Sequence, residues 1–187
     1  MKKGSKKLLV LACVTVMLLC TGCGGNGGNS ANGSGSGNND GSAVNGPEGA
    51  LSDIVEQIYA IKDPTIGVGT IEIDLSDADA VKMYTGLDST DSIQEAVASE
   101  AMISAQAYSM VLVRTNSPED AEAVAADMKA GINPAKWICV EADDLQVVAC
   151  GDVVLLIMVS SQLSDSVTSQ EIVDAFREVC GGTLTVE

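Results

Sequence analysis

Apolar residues along this chain fall into two regimes. From Leu8 to Leu19 they run almost unbroken, whereas from Leu51 onward they recur at helix and strand spacings. Ile54, Val55, Ile58 and Ile61 predict a helix, with Ser52 or Asp53 as its cap and Lys62-Asp63-Pro64 as its stop. Over residues 66–75, Ile71, Ile73 and Leu75 alternate with Glu72 and Asp74, the pattern of a strand with one wet face. Ala80, Val81 and Tyr84 predict a short helix broken by Gly86, and Ile93, Ala96 and Val97 a second one over 91–98.

Residues 103–114 read as the central strand. Ile103, Ala105, Ala107, Val111 and Val113 share one face and Tyr108, Met110 and Leu112 the other, so both faces are covered. The small residues Ser104, Ala105 and Ala107 leave room for a close neighbour. A helix then follows Ser117 as cap and Pro118 as first residue, with Glu119 and Asp120 at its positive end. Its buried stripe is Ala121, Val124, Ala125 and Met128, and Gly131 is its left-handed exit. Residues 137–140 fit either a strand or an extension of that helical region. Leu145–Ala149, the turn Cys150-Gly151-Asp152 and the wholly apolar Val153–Val159 form a hairpin. Thr168 and Glu171 have capping-box spacing before a helix buried through Ile172, Phe176 and Val179 and stopped by Gly181-Gly182. Thr183–Val186 returns to the sheet edge. The expected fold is α+β: one domain over residues 50–187, with a small, mostly antiparallel sheet of three to five strands covered by helices.

The first regime is an export signal. Lys2, Lys3, Lys6 and Lys7 precede the apolar run, which is too short to span a bilayer as a permanent helix and ends at Cys20-Thr21-Gly22-Cys23. That arrangement predicts a bacterial lipoprotein signal over residues 1–22, with Cys23 acylated by palmitate-type chains and serving as the new first residue. Residues 23–49 then form the lipidated cysteine and a Gly/Ser/Asn tether of about 25–30 Å end to end. A phosphate-binding loop would follow a strand and carry a lysine, and this stretch does neither. The expected location is the outer face of the cytoplasmic membrane.

Charge narrows the partners. The whole chain carries −16; without the signal lysines, six basic residues face 26 acidic ones, a net charge of −20. Nothing clusters Lys and Arg to neutralise phosphates, so nucleic acid is excluded as a partner. The same field repels anionic headgroups, so attachment rests on the lipid, and two acyl chains hold where one does not. Much of the acidity is also what a solubilising surface requires.

Candidate chemistry is thin. With no histidine in the chain, the usual neutral-pH proton carrier, zinc ligand and triad base are missing. Of six cysteines, Cys13 and Cys20 leave with the signal and Cys23 is the lipid site. Cys139, Cys150 and Cys180 remain, either as core thiols or as one disulfide plus a free thiol. Cys139 lies near Lys136, but its neighbours Trp137, Ile138 and Val140 favour burial over a nucleophile. Cys180 stands at a helix end, where the dipole raises a thiol pKa. Asp74, Asp77 and Asp79, and Glu141, Asp143 and Asp144, are carboxylate clusters. They lack the glycine and distal glutamate of a calcium loop and read more simply as solvated turns. A glycosidase pair cannot be singled out in so acidic a chain. No metal or cofactor is expected. Tyr84, Tyr108 and Trp137 are the candidate anchors for a ligand or partner, each competing with a core or rim role.

The order of segments resembles a family of small lipoproteins from Gram-positive, clostridia-like bacteria, the domain-of-unknown-function family 4358. The likeness covers Leu51 to Gly182. It runs through Tyr84-Thr85-Gly86-Leu87, the small-residue stretch Ser99–Ala105, the extended Ala107–Val113 and the helix after Ser117. It closes with Gly151-Asp152-Val153-Val154 and the helix containing Phe176. Members similar to this chain carry a longer charged helix in place of Ala121–Ala130 and a tyrosine in place of Trp137. The family has no assigned activity or catalytic residue, so the resemblance implies location and a single small domain. Three functions follow as expectations. The first is a non-enzymatic lipoprotein binding an envelope protein or cell-wall component. The alternatives are a sensor or carrier of a small ligand outside the membrane and a carboxylate-based enzyme.

Overall fold

The computed structural model describes residues 45–187; the signal run, Cys23 and the tether up to residue 44 lie outside the described residues. The elements are α1 (Leu51–Ile61), β1 (Val68–Glu72), α2 (Ala78–Thr85), β2 (Ile93–Ala101), β3 (Tyr108–Thr115), α3 (Ala121–Gly131), β4 (Asp144–Cys150), β5 (Val153–Val159) and α4 (Ser169–Val179). All five strands join one antiparallel sheet in the order β1-β2-β3-β5-β4. The α+β fold with a helix-covered antiparallel sheet is therefore as expected.

The sheet is covered on both faces. Ala96, Ala98, Val111, Val113, Val154 and Leu156 face the layer of α2 and α3, where Val81, Val124 and Met128 meet them. Val97, Met110, Leu112, Leu155 and Ile157 face the layer of α1 and α4, against Ile54, Ile58, Ile172 and Phe176. β3 and β5 therefore bury alternate side chains on opposite faces, and their sequences are apolar at both parities. Burying each Leu-sized side chain contributes about 1.5–3 kcal/mol, so these two strands supply much of what holds the layers together.

Several local expectations are corrected. Residues 91–98 are not a helix. Ile93, Ala96 and Val97 belong to β2, and a register shift between Ile93 and Glu95 breaks the two-residue alternation, so that the spacing imitates a helix. The central strand starts at Tyr108, not 103; Ser104 and Ala105 lie in an exposed turn, and Ile103 is solvent-facing. Ser52 and Asp53 sit inside α1, and its first amide, from Leu51, donates instead to Glu95 Oε1 at 3.3 Å. Ser117 caps no backbone amide; its hydroxyl donates to Asp120 Oδ2 at 3.0 Å, and a 3-10 turn over Pro118–Asp120 leads into α3. Gly131 is not a left-handed exit, because α3 continues through it to an extended Ile132. A Cβ at Gly131 would collide with the Gly86 carbonyl, so glycine serves there to let the ends of α2 and α3 touch. Gly86 itself, at φ 81°, ends α2 as expected.

The hairpin β4–β5 turns at Gly151 as expected. Thr168 and Glu171 cap α4 reciprocally, and Ile172 and Phe176 are buried. The final segment makes one bridge, Ala149 with Val186, on the free edge of β4. Residues 137–140 are neither strand nor helix, and lie in the long connection from α3 to β4.

Candidate functional site

Two ends of the sheet differ in character. At one end, the β4–β5 turn meets the start of the described chain. Arg114, 15% exposed at its side chain, donates from Nη1 to Asp152 Oδ2 at 3.0 Å and from Nη2 to the carbonyls of Gly49 at 2.7 Å and Pro47 at 3.3 Å. Glu95 lies 3.9 Å from Nε and holds the α1 amide with its other oxygen. The strap of residues 45–50 is thus pinned beside the β4–β5 turn.

At the other end, β2 and β3 place Glu100 and Ser109 directly opposite each other. The Ser109 hydroxyl donates to Glu100 Oε1 at 2.8 Å. Lys136, from the α3–β4 connection, reaches in to the same Glu100 oxygen and to Ser109 Oγ at 3.1 Å. Its side chain is 10% exposed, and its ammonium lies 5.2 Å from the Tyr84 ring centre and 5.3 Å from that of Trp137. A desolvated ammonium between two π faces, paired with a carboxylate, is a strong grip on an otherwise irregular loop. It is not an activated serine: Ser109 is fully buried, and both partners of its hydroxyl are committed to the ion pair. Burial, with the Glu100 charge beside it, pushes the Tyr84 phenol above its ordinary pKa and keeps it neutral.

The far side of the loop is tied as well. Asp143 accepts from the Ser161 amide and hydroxyl, both at 2.6 Å, and these bonds hold its carboxyl below the usual range. Between the two ties, Trp137–Val140 and Glu141 line an open groove of about 560 Å³ with Ser160 and Gln162. Ile138 stands 95% exposed there. The neighbouring β2–β3 turn adds exposed Met102 and Ile103, and Gln106 Oε1 is buried without a donor among the described residues.

The three aromatic candidates separate. Tyr84 and Trp137 are half-buried and flank Lys136, whereas Tyr108 is fully buried and serves the core. The Tyr59 hydroxyl, whose pKa burial also raises, donates to Ser99 at 2.8 Å and lies 3.1 Å from that of Tyr108. Burial pushes the Tyr108 phenol well up.

The thiols separate too. Cys139 is exposed at the groove, contrary to its apolar neighbourhood in sequence, while Cys150 is buried and Cys180 half-buried. The carboxylate clusters act as caps. Asp74 holds Ser76, Asp77 accepts from the amides of Asp79 and Ala80, and Asp144 holds Ser169. Among the described residues no group of three Cys, Asp or Glu is arranged to hold a metal, and no helix is long and apolar enough to cross a membrane.

Sequence reasoning misses the Glu100–Ser109–Lys136 clamp and the Arg114 fork. Their members are 9 to 67 residues apart, and only strand register brings them together. No family model, curated protein or solved structure matches the chain.

Proposed function

We propose that this chain is a lipoprotein anchored through Cys23 to the outer face of the cytoplasmic membrane, and that its domain is a non-enzymatic module binding an envelope protein or cell-wall component. Membership of family 4358 is part of the same proposal, on the order of segments given above. The observation that carries the binding role is the polarity of the domain. The tether meets it beside Asp152, whereas the groove, Ile138, Met102 and Ile103 lie beyond the other end of β5. Seven residues of β5 separate the two ends, about 20 Å at strand rise. The end rich in exposed apolar groups is therefore opposite the end at which residue 45 enters the domain. Rigid clamping of the groove loop by Lys136 reduces the ordering cost of binding.

The test places a photo-crosslinking residue at Ile138 or, as control, at Glu48, in intact cells. A discrete crosslinked species from position 138 and none from position 48 is the expected result. Identical patterns, or none from 138, refute the binding face. Intact-mass measurement of membrane-extracted protein tests acylation at Cys23. A second reading, a carrier or sensor of a small ligand, draws on the groove volume, which lies within the roughly 300–1,000 Å³ common for ligand sites. A low-molecular-mass crosslinked adduct at position 138 would favour it.

A further inference from the structure

Cys150 ends β4 and points into the layer of α1 and α4; Cys180 follows the last residue of α4 and packs against that same layer. α4 begins against the first residue of β4, where Ser169 donates to Asp144, and the chain beyond α4 returns to pair Val186 with Ala149, so the ends of β4 and α4 meet at one corner of the fold with both cysteines in the same apolar cluster and unbridged. Cys139 is excluded by position: it lies in the groove loop at the opposite end of the sheet and is exposed. The three-thiol ambiguity in the sequence therefore has one geometric solution.

We propose that Cys150 and Cys180 form a disulfide in the mature protein, tying the end of α4 to the β4–β5 turn beside the strap that receives the tether, and leaving Cys139 as the free thiol. The setting rests on the export proposed above; the pairing rests on the fold alone. The oxidant is an extracytoplasmic dithiol–disulfide carrier. The half-buried Cys180, as thiolate, attacks the carrier disulfide and releases one carrier thiolate, giving a mixed disulfide. Cys150 then attacks the Cys180 sulfur and releases the second. The two thiol protons end on the carrier thiols, and two electrons pass to the carrier. Burial pushes both thiols above their ordinary pKa, Cys180 most, so thiolate is scarce at neutral pH and spontaneous oxidation is slow. Gly181 and Gly182, at φ 74° and 97°, leave the chain after Cys180 free to adjust as the bond closes.

The experiment alkylates protein extracted from membranes under denaturing, non-reducing conditions. Digestion after Lys, Arg and Glu then separates Cys139, Cys150 and Cys180 onto different peptides. The expected product is residues 142–171 joined to residues 179–187, with Cys139 alkylated. Reduction should lower Tm by on the order of 10 °C, since the bridge closes a long loop. Cys139→Ser should keep that shift and Cys180→Ser abolish it. Lipidated protein in which Cys150 and Cys180 are both alkylated, or any bridge to Cys139, overturns the inference while leaving export intact. In parallel, the reduced full chain is unfolded, so that neither thiol is buried, and refolded in a buffer of oxidised and reduced glutathione. Failure to link Cys150 to Cys180 there overturns the pairing wherever the protein resides. Linkage there, alongside unlipidated and reduced protein from cells, supports the pairing and overturns export instead.

Discussion

Replacing Arg114 by methionine keeps most of the stem volume and removes the fork that holds the strap. Three contacts disappear: the ion pair to Asp152 and the donations to Gly49 and Pro47. At about 0.5–1.5 kcal/mol each, their sum is about 3 kcal/mol. Part is recovered, because the strap carbonyls and the partly exposed Asp152 and Glu95 carboxylates rehydrate once released. The expected net loss is about 2 kcal/mol, read as a lower urea midpoint with an unchanged m-value. Arg114→Lys should recover less than half, since an ammonium cannot serve two carbonyls and a carboxylate in one plane. Hydrogen exchange localises the effect: the amides of Leu51 and Asp53 at the start of α1 should exchange faster by more than the global change, while those of β5 speed up only by the global change. A loss under 0.5 kcal/mol with no change at residues 51–53 would refute the view that Arg114 fastens the strap.

Two further outcomes follow from the clamp and the caps. Lys136→Met strands the Glu100 carboxylate against Ser109; stability should fall by about 1–3 kcal/mol, and the Trp137 emission should shift to the red as the loop lifts; an unshifted spectrum refutes the clamp. Asp74, Asp143 and Glu171 all have carboxyls held below their ordinary pKa, the first two by serine donors and Glu171 chiefly by Lys62. Their contribution is complete above the unfolded carboxylate pKa of about 4 and is lost as pH falls through the lower folded values. Denaturation midpoints should therefore hold from pH 7 to 5 and decline below about 4; a decline beginning near pH 6 contradicts this assignment.

Parts of the fold are legible where one local force dominates. The capping box at Thr168–Glu171, the apolar run Val153–Val159 and the turn at Gly151 state their own geometry. β2 is illegible because its bulge disguises the alternation, and Gly131 misleads because glycine at a helix end also marks close packing. Cys139 shows the same limit: apolar sequence neighbours suggest burial, but the clamp at Lys136 turns that stretch outward. The aromatic pair Tyr84 and Trp137 is legible as a candidate, whereas the cation between them is not, since nothing in spacing relates Lys136 to Glu100.

The pinned strap also fixes how the molecule answers a mechanical load. Any tug transmitted along residues upstream of Asn45 arrives first at Arg114 and next at the opening turn of α1. Drawn further, α1 would peel from the sheet and uncover the oily flank formed by Phe176 and Ile172, while α2 and α3 still shield the opposite side. A pull on the chain before Asn45 would thereby bare a sticky surface on one flank alone.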